Sequence, residues 1–284
     1  MEVIKSIISD IERYYRKSYN GVYPGDFTKL AEEAISELRI EEQLSILSKS
    51  IGNSIEGKKI LEIGSGFGGL IALANKKYSN QTYGVEPDKE IFQISLQVLE
   101  AYGININYVT NTRGENLPFE DATFDVVFSV NVLEHVQHPN MVISEAIRVL
   151  KPGGYIYFVI PNYGSFWEGH YGIFWIPYIP KWLGKIYVSL LGRDTRFIDT
   201  LQFINYWQLK LLLRRYKNIK ILNWGEDIFE ERMTLMNFSE WAQLGRLKKV
   251  VNLAHQLKIT KIICLAARIF KMHTPIILTL QKME

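Results

Sequence analysis

The chain has 284 residues, with 33 Lys and Arg against 30 Asp and Glu and a net charge of +3. That near-balance gives no reason to expect a nucleic-acid partner across the surface. The single cysteine, Cys264, excludes an internal disulfide framework, a multi-cysteine zinc site and an iron–sulfur cluster of the radical type.

The first residues, MEVIKSIISDIERYY, mix acids and bases into an apolar pattern and do not read as a secretory signal. No apolar run approaches the roughly 18 residues that span a bilayer, so a cytoplasmic protein is expected. Ile4, Ile7, Ile8 and Ile11 recur at helical spacing. Leu30, Ala34, Ile35, Leu38 and Leu47 do so again after a break at Gly21 to Gly25. These predict two helices forming a cap over residues 1–55. The cap packs against a sheet or covers a ligand; in the second case Tyr14, Tyr15, Tyr19 and Tyr23 are its candidate contacts.

Lys58 to Leu70, KKILEIGSGFGGL, reads as a buried strand, a glycine loop and the start of a helix. Gly64, Ser65, Gly66 and Gly68 form a loop on which a ligand can lie directly against the main chain. Gly64, Gly66 and Gly69 also fit the dinucleotide fingerprint, with Glu86 at the expected distance to meet a ribose. Glu62, at the carboxyl end of the strand, opposes a pyrophosphate and favours an amine, which points to S-adenosylmethionine over a nicotinamide dinucleotide.

From there strands and helices alternate. The strands are expected at QTYGVE, ININYVT, FDVVFSV and YIYFVIP, and the helices at Gly69 to Tyr78, Asp88 to Tyr102 and Pro139 to Leu150. Such alternation means an α/β fold with a doubly wound, mostly parallel sheet. After Pro161 about forty residues rich in Trp, Tyr, Pro and Gly break the pattern, long enough to suggest a substrate loop. Helix is expected again from Asn205 to Arg215, a strand at IKILNW, a basic amphipathic stretch from Trp241 to Lys271, and a last strand at PIILTL.

The pieces LEIGSGFGG, YGVEPD, ENLPFEDATFDVVFSVNVLEHV and RVLKPGGYIYFVIPN, in this order, resemble the class I S-adenosylmethionine-dependent methyltransferases, in particular the small-molecule type 11 branch. The resemblance covers Lys58 to Pro161. It implies a seven-stranded Rossmann-like domain over residues 56–284, with acceptor-side insertions at 161–204 and 227–272. It also implies that Glu62, with the backbone at Gly64 and Gly66, holds the methionine amine and carboxylate, and that Glu86 holds the ribose hydroxyls. Pro87 and Asp88 edge the adenine pocket, and Asn131 sits near the methionine end. Where the family commonly carries an acid for the adenine amine, this chain has Arg113, then Gly114 and Glu115; Glu115 or backbone groups take that role.

In-line methyl transfer rests mainly on positioning and requires no metal, so no metal site is expected. A hydroxyl or amine acceptor gains from a base, for which His170 and His135 are the candidates. Each of them can instead be a structural hydrogen-bonding partner. Glu168, Tyr163 and Tyr171 lie beside His170 in the loop after the fifth strand. Trp167, Trp175 and Trp182 with Lys181, Lys185 and Arg193 resemble a segment at head-group depth, and so does the later basic helical stretch. The expected acceptor is a small or lipid-linked molecule, with peripheral contact at the inner face of a membrane. The alternatives are a nicotinamide-dependent oxidoreductase and a non-catalytic S-adenosylmethionine-binding protein. Nothing in the sequence sets the oligomeric state.

Overall fold

The computed structural model describes residues 2–23, 25–78, 80–236 and 245–284. Three helices precede the sheet: α1 (Glu2–Tyr19), α2 (Phe27–Ala34) and α3 (Glu37–Ile51). The extra break comes at Ile35, which leaves helical geometry at φ −122° and ψ 18°. Ser36 then caps α3 by accepting the Arg39 N–H at 3.5 Å. Leu38 consequently falls on the outer face of α3, 68% exposed, while Ile40, Leu44, Leu47 and Ile51 are buried.

The alternating part comprises β1 (Lys59–Ile63), α4 (Gly69–Lys77), β2 (Gln81–Val85), α5 (Lys89–Ala101), β3 (Val109–Thr110), β4 (Phe124–Val130), α6 (Pro139–Val149) and β5 (Leu150–Ile160). β3 is much shorter than the ININYVT run suggests. The Asn105 side chain accepts the Asn107 N–H at 2.9 Å and winds Ile106–Tyr108 into a 3₁₀ turn, a local bond that competes with strand pairing. Beyond β5 come the hairpin β6 (Trp167–Glu168) and β7 (Ile173–Phe174), then α7 (Lys181–Leu190), α8 (Arg196–Thr200) and α9 (Tyr206–Leu213). β8 (Ile219–Asn223), α10 (Glu226–Leu235), α11 (Gly245–Gln256), α12 (Thr260–Phe270) and β9 (Ile276–Lys282) complete the described chain.

Seven strands form one sheet in the order β3-β2-β1-β4-β5-β9-β8. β1 to β5 pair in parallel, and β9 runs antiparallel to both β5 and β8. This is the expected doubly wound, mostly parallel sheet. β1 and β4 lie side by side where the order of strands reverses, so the crevice beyond their carboxyl ends is where an open α/β sheet takes its ligand.

Alternate residues feed two cores, as the two-residue period of a strand requires. Leu61, Val127, Ile156 and Leu278 face α6 and α9, where they meet Ile143 and Leu209. Ile60, Val126, Tyr157 and Ile277 face α3 and α4, where they meet Leu47 and Leu73. α1 lies against the flank of the sheet, with Ile7 and Ile11 in one cluster with Ile71, Val98 and Leu99. The segment after β5 is less irregular than its composition suggests, because Tyr163, Tyr171, Trp175, Val188 and Ile198 form an apolar cluster of their own. Trp175 is therefore 2% exposed and Trp167 half-buried; of the three tryptophans expected at a surface, only Trp182, 64% exposed, is there. Trp241 lies outside the described residues.

Candidate functional site

A cavity of 640 Å³ opens at the carboxyl ends of β1, β2 and β4. Its floor is the glycine loop. Gly64 turns out of β1 at φ +71°, and its N–H and that of Ser65 both donate to Val85 O, at 2.9 and 3.0 Å. A Cβ on Gly64 would collide with the Val132 side chain, whereas the space around Gly66 is open. Gly66 is thus where a ligand can approach the main chain most closely. Gly68, expected in the ligand site, does not line the cavity. It begins α4 at φ +76°, and a Cβ there would lie 2.8 Å from Leu99 Cδ1, so close packing of α4 on α5 is what requires it.

Two acids face this loop. Glu62 is buried, and its Oε2 has no hydrogen-bond partner among the described residues. Burial, then the nearby charge of Glu86, raises its pKa well above the ordinary value. A buried carboxylate without a donor is costly unless a cation meets it, so the position fits a ligand ammonium. Glu86 accepts the N–H of Gly66 at 3.0 Å on one oxygen and that of Asp88 at 2.9 Å on the other. Burial nevertheless pushes it up to about 7, against those two bonds. Its loop is braced by Asn111, whose Nδ2 donates to Glu86 O at 2.7 Å and Pro87 O at 3.1 Å.

One expectation needs correction. The N–H groups of Gly64 and Gly66 are already engaged, by Val85 and Glu86, so they are not the donors for a ligand carboxylate. The cavity instead offers Arg39 and Gln43 of α3 and the buried Ser65 hydroxyl, which has no partner among the described residues. Sequence reading missed Arg39 and Gln43 because their approach depends on how α3 docks. Tyr14, Tyr15 and Tyr19 line the cavity, and Tyr14 donates to Asp88 Oδ2 at 3.2 Å; Tyr23 does not line it.

Pro87, Arg113, Gly114, Glu115 and Asn131 also line the cavity. A Cβ on Gly114 would come within 2.7 Å of Ile63 Cγ2, so glycine lets this loop close over β1. Glu115 does not simply point at a ligand: its Oε1 accepts the N–H groups of Gln137 at 3.1 Å and His138 at 3.3 Å, tying the loop to the start of α6. Asn131 leaves β4 in the left-handed region, at φ 54°.

At the far end, His135 lines the cavity, and behind it stands His170, with 3.3 Å between their Nε2 atoms. His170 itself does not line the cavity. Its Nδ1 lies 2.7 Å from Glu168 Oε1, and the hairpin β6–β7 carries both residues. Glu168 also accepts the Tyr171 N–H at 2.7 Å and the Tyr163 hydroxyl at 3.2 Å. Glu168, Tyr163 and Tyr171 are therefore buried supports and do not face an acceptor. Burial lowers the pKa of His170, but the charge and hydrogen bond of Glu168 outweigh it and hold the imidazole above its usual value. Burial, then the charge of His170, pushes His135 down. Glu134, fully buried beside them, is a member of this group that sequence reading passed over, although LEHV places it next to His135.

Residues 61–158 match the family described as Methyltransferase domain. Over 111 residues the chain is 35% identical to the ubiquinone biosynthesis O-methyltransferase of Aliivibrio fischeri (strain MJ11), a match covering 39% of this chain and 47% of that protein. The chain spans about half the length of the curated relatives it matches. Among solved structures it is similar to the [4+2]-cyclase SpnF, with a TM-score of 0.54 and 16% identity over 97% of this chain and 94% of that one. It is also similar to phosphoethanolamine N-methyltransferase 2 of Haemonchus contortus, with a TM-score of 0.52 and 18% identity over 96% of this chain and 60% of that one. At such identities the two structures show the fold alone, and their differing chemistries illustrate that a fold hosts many activities. The matched sequence, on this sheet, makes residues 61–158 a class I S-adenosylmethionine-dependent methyltransferase domain of the type 11 branch.

Proposed function

We propose that this chain transfers a methyl group from S-adenosylmethionine to a hydroxyl oxygen of a small or lipid-linked acceptor. The observation that carries the reading is Glu62, a buried carboxylate lacking a donor on Oε2, placed beside an open glycine loop in a cavity that runs on to His135. Glu62 would meet the ammonium, Arg39 and Ser65 the carboxylate, and Glu86 the ribose. When bound, S-adenosylmethionine supplies a methyl group on a sulfonium, open to in-line attack. The residues of the chain contribute position: the loop fixes one end of the cavity and the His135 imidazole marks the other, where an acceptor hydroxyl would sit. The choice of oxygen follows the O-methyltransferases that the domain resembles.

Exposed apolar faces near this end favour a lipid-linked acceptor and contact with a membrane surface. Trp182, Ile186 and Leu190 on α7 and Ile262, Leu265 and Ile269 on α12 are exposed at helical spacing. The two regions are joined by the Tyr178 hydroxyl, which donates to Phe270 O at 3.1 Å. No single described helix is long and apolar enough to cross a membrane; 248–256 and 260–270 pass only as a pair bent by 118°. Several bases expected to face anionic head groups are paired instead, Lys185 with Asp199, Arg268 with Asp227 and Lys271 with Glu226. The contact is therefore mainly apolar, with weak salt dependence.

Three measurements test the reading. Calorimetry should show binding of S-adenosylmethionine and of its demethylated product, and none of NAD. Incubation of cell extract with methyl-labelled cofactor should give a labelled product that partitions into organic solvent and releases no label on mild base treatment, as an ether and not an ester. Absence of cofactor binding sinks the transferase reading, and a label only on nitrogen or on water-soluble acceptors removes the oxygen or lipid assignment. In flotation with anionic or neutral liposomes the protein should rise with both; recovery wholly in the soluble fraction removes the membrane contact.

A further inference from the structure

We propose that Glu134, His135 and His170 bind one divalent transition-metal ion of the zinc class, with its open coordination position on the cavity. The three side chains come from two places, the loop after β4 and the turn of the β6–β7 hairpin, and converge on one point. Glu134 Oε1 lies 3.7 Å from His135 Nε2 and 3.8 Å from His170 Nε2, and the two Nε2 atoms are 3.3 Å apart. A triangle with these sides has a circumradius of about 2.1 Å, within the range of roughly 2.0–2.2 Å for zinc bonds to nitrogen and oxygen. A four-coordinate ion stands slightly out of that plane, so the two longer sides need to close by only a few tenths of an ångström.

An independent observation points the same way. Glu134 is 0% exposed, and neither carboxylate oxygen has a hydrogen-bond partner among the described residues. The imidazole nitrogens at 3.7 and 3.8 Å are too distant to donate. A buried carboxylate left in this state is expensive, and a cation bound between it and two imidazoles removes the cost. The backbone fixes it there, since Gln202 N–H donates to Glu134 O at 2.6 Å.

The surroundings suit a metal ligand. Glu168 Oε1, 2.7 Å from His170 Nδ1, accepts the Nδ1–H hydrogen bond and so turns Nε2 toward Glu134 and His135, the carboxylate–histidine pairing that orients metal-bound imidazoles. Two imidazole nitrogens and one carboxylate suit zinc and its neighbours better than magnesium or calcium, which prefer oxygen alone. Three protein ligands leave a fourth position, and His135 borders the cavity, so that position faces the acceptor end. Its role there rests on the methyl transfer proposed above. An acceptor hydroxyl taken as fourth ligand gives its proton to solvent more readily. Its oxygen lone pair then attacks the methyl carbon as the carbon–sulfur bond breaks, with that electron pair staying on sulfur.

The test uses the full chain, stripped with chelator and titrated with Zn²⁺ or Co²⁺ salts in the absence of acceptor. One ion per chain is expected, with the intense visible absorption of four-coordinate Co²⁺. Glu134→Gln and His170→Ala should weaken binding by more than about 100-fold and Glu168→Gln by about 10–100-fold, while His255→Ala, on the exposed face of α11, should leave it unchanged. Circular dichroism and affinity for S-adenosylhomocysteine report whether each variant is folded; should Glu134→Gln not fold, the Co²⁺ spectrum of the parent and the Glu168→Gln affinity decide. No stoichiometric ion, or equal affinity in parent and the folded variants, overturns the site. Because binding is read without turnover, an ion bound by a chain that transfers no methyl group upholds the site and removes the proposed function.

Discussion

The Gly66 amide donates to the Glu86 carboxylate across 3.0 Å, so the chain itself joins the loop after β1 to the acid after β2. A ribose meeting Glu86 therefore meets a carboxylate already aimed by two amides. Glu86→Ala should weaken S-adenosylmethionine binding by about 1.5–3 kcal/mol, the scale for hydrogen bonds to a charged group. Calorimetry on the folded variant measures this, and an unchanged affinity contradicts the ribose assignment.

The same residue makes a pH-dependent contribution. Burial raises Glu86 to about 7, above the ordinary carboxyl value, so the folded chain holds a proton that the unfolded chain has lost. Its contribution is fully present below about pH 4.5 and is lost as pH rises toward 7, by about 3 kcal/mol at most. Urea midpoints for the parent and Glu86→Gln should diverge over that window. Ribose hydroxyls favour the ionised form, so cofactor binding near pH 6 should release protons, seen as a dependence of the calorimetric heat on the buffer.

Glu62→Gln should separate stability from binding. The amide keeps the shape and removes a buried carboxyl whose Oε2 has no partner, so thermal stability at about pH 8 should not fall. Affinity for S-adenosylmethionine should drop about 10–100-fold, while methylthioadenosine, which lacks the amine, should bind as before. Equal losses for both ligands would place the amine elsewhere.

Gly64 and Gly66 should respond differently to alanine. Both have positive φ, but only at Gly64 does the added Cβ meet a side chain, that of Val132. Gly64→Ala should cost about 2–4 kcal/mol in chemical denaturation, the sum of strain and overpacking. Gly66→Ala should cost about 1–2 kcal/mol, yet lose more cofactor affinity, because its open side is where the ligand lies. A reversed ranking in both measurements would contradict the placement of the loop.

The sheet and the glycine loop were legible because period and punctuation carry them: Ile60, Leu61 and Ile63 before a run of glycines leave few readings. Glu62 and Glu86 could be named because their place at strand ends follows from the same pattern. What pattern does not encode is docking. Arg39 enters the cavity only because Ser36 starts a separate helix, and Gly68, indistinguishable by spacing from Gly66, turned out to face Leu99. Sequence offers His170 and His135 as separate candidate bases, yet their meaning changes once the hairpin sets His170 against Glu168, His135 and Glu134. Tryptophan content suggested an exposed surface where Trp175 instead serves a local core.

The pairing of β9 with β5 has a consequence for biosynthesis. Ile160 pairs with Ile276, so β5 gains its second neighbour only after the whole intervening segment has been made. While the ribosome works through that stretch, Tyr155 to Ile160 presents an open sheet edge that carries Ile156 and Phe158, a template for pairing with other nascent chains. Yield in cells should therefore depend on chaperone supply and temperature during translation more steeply than the stability of the finished protein would suggest.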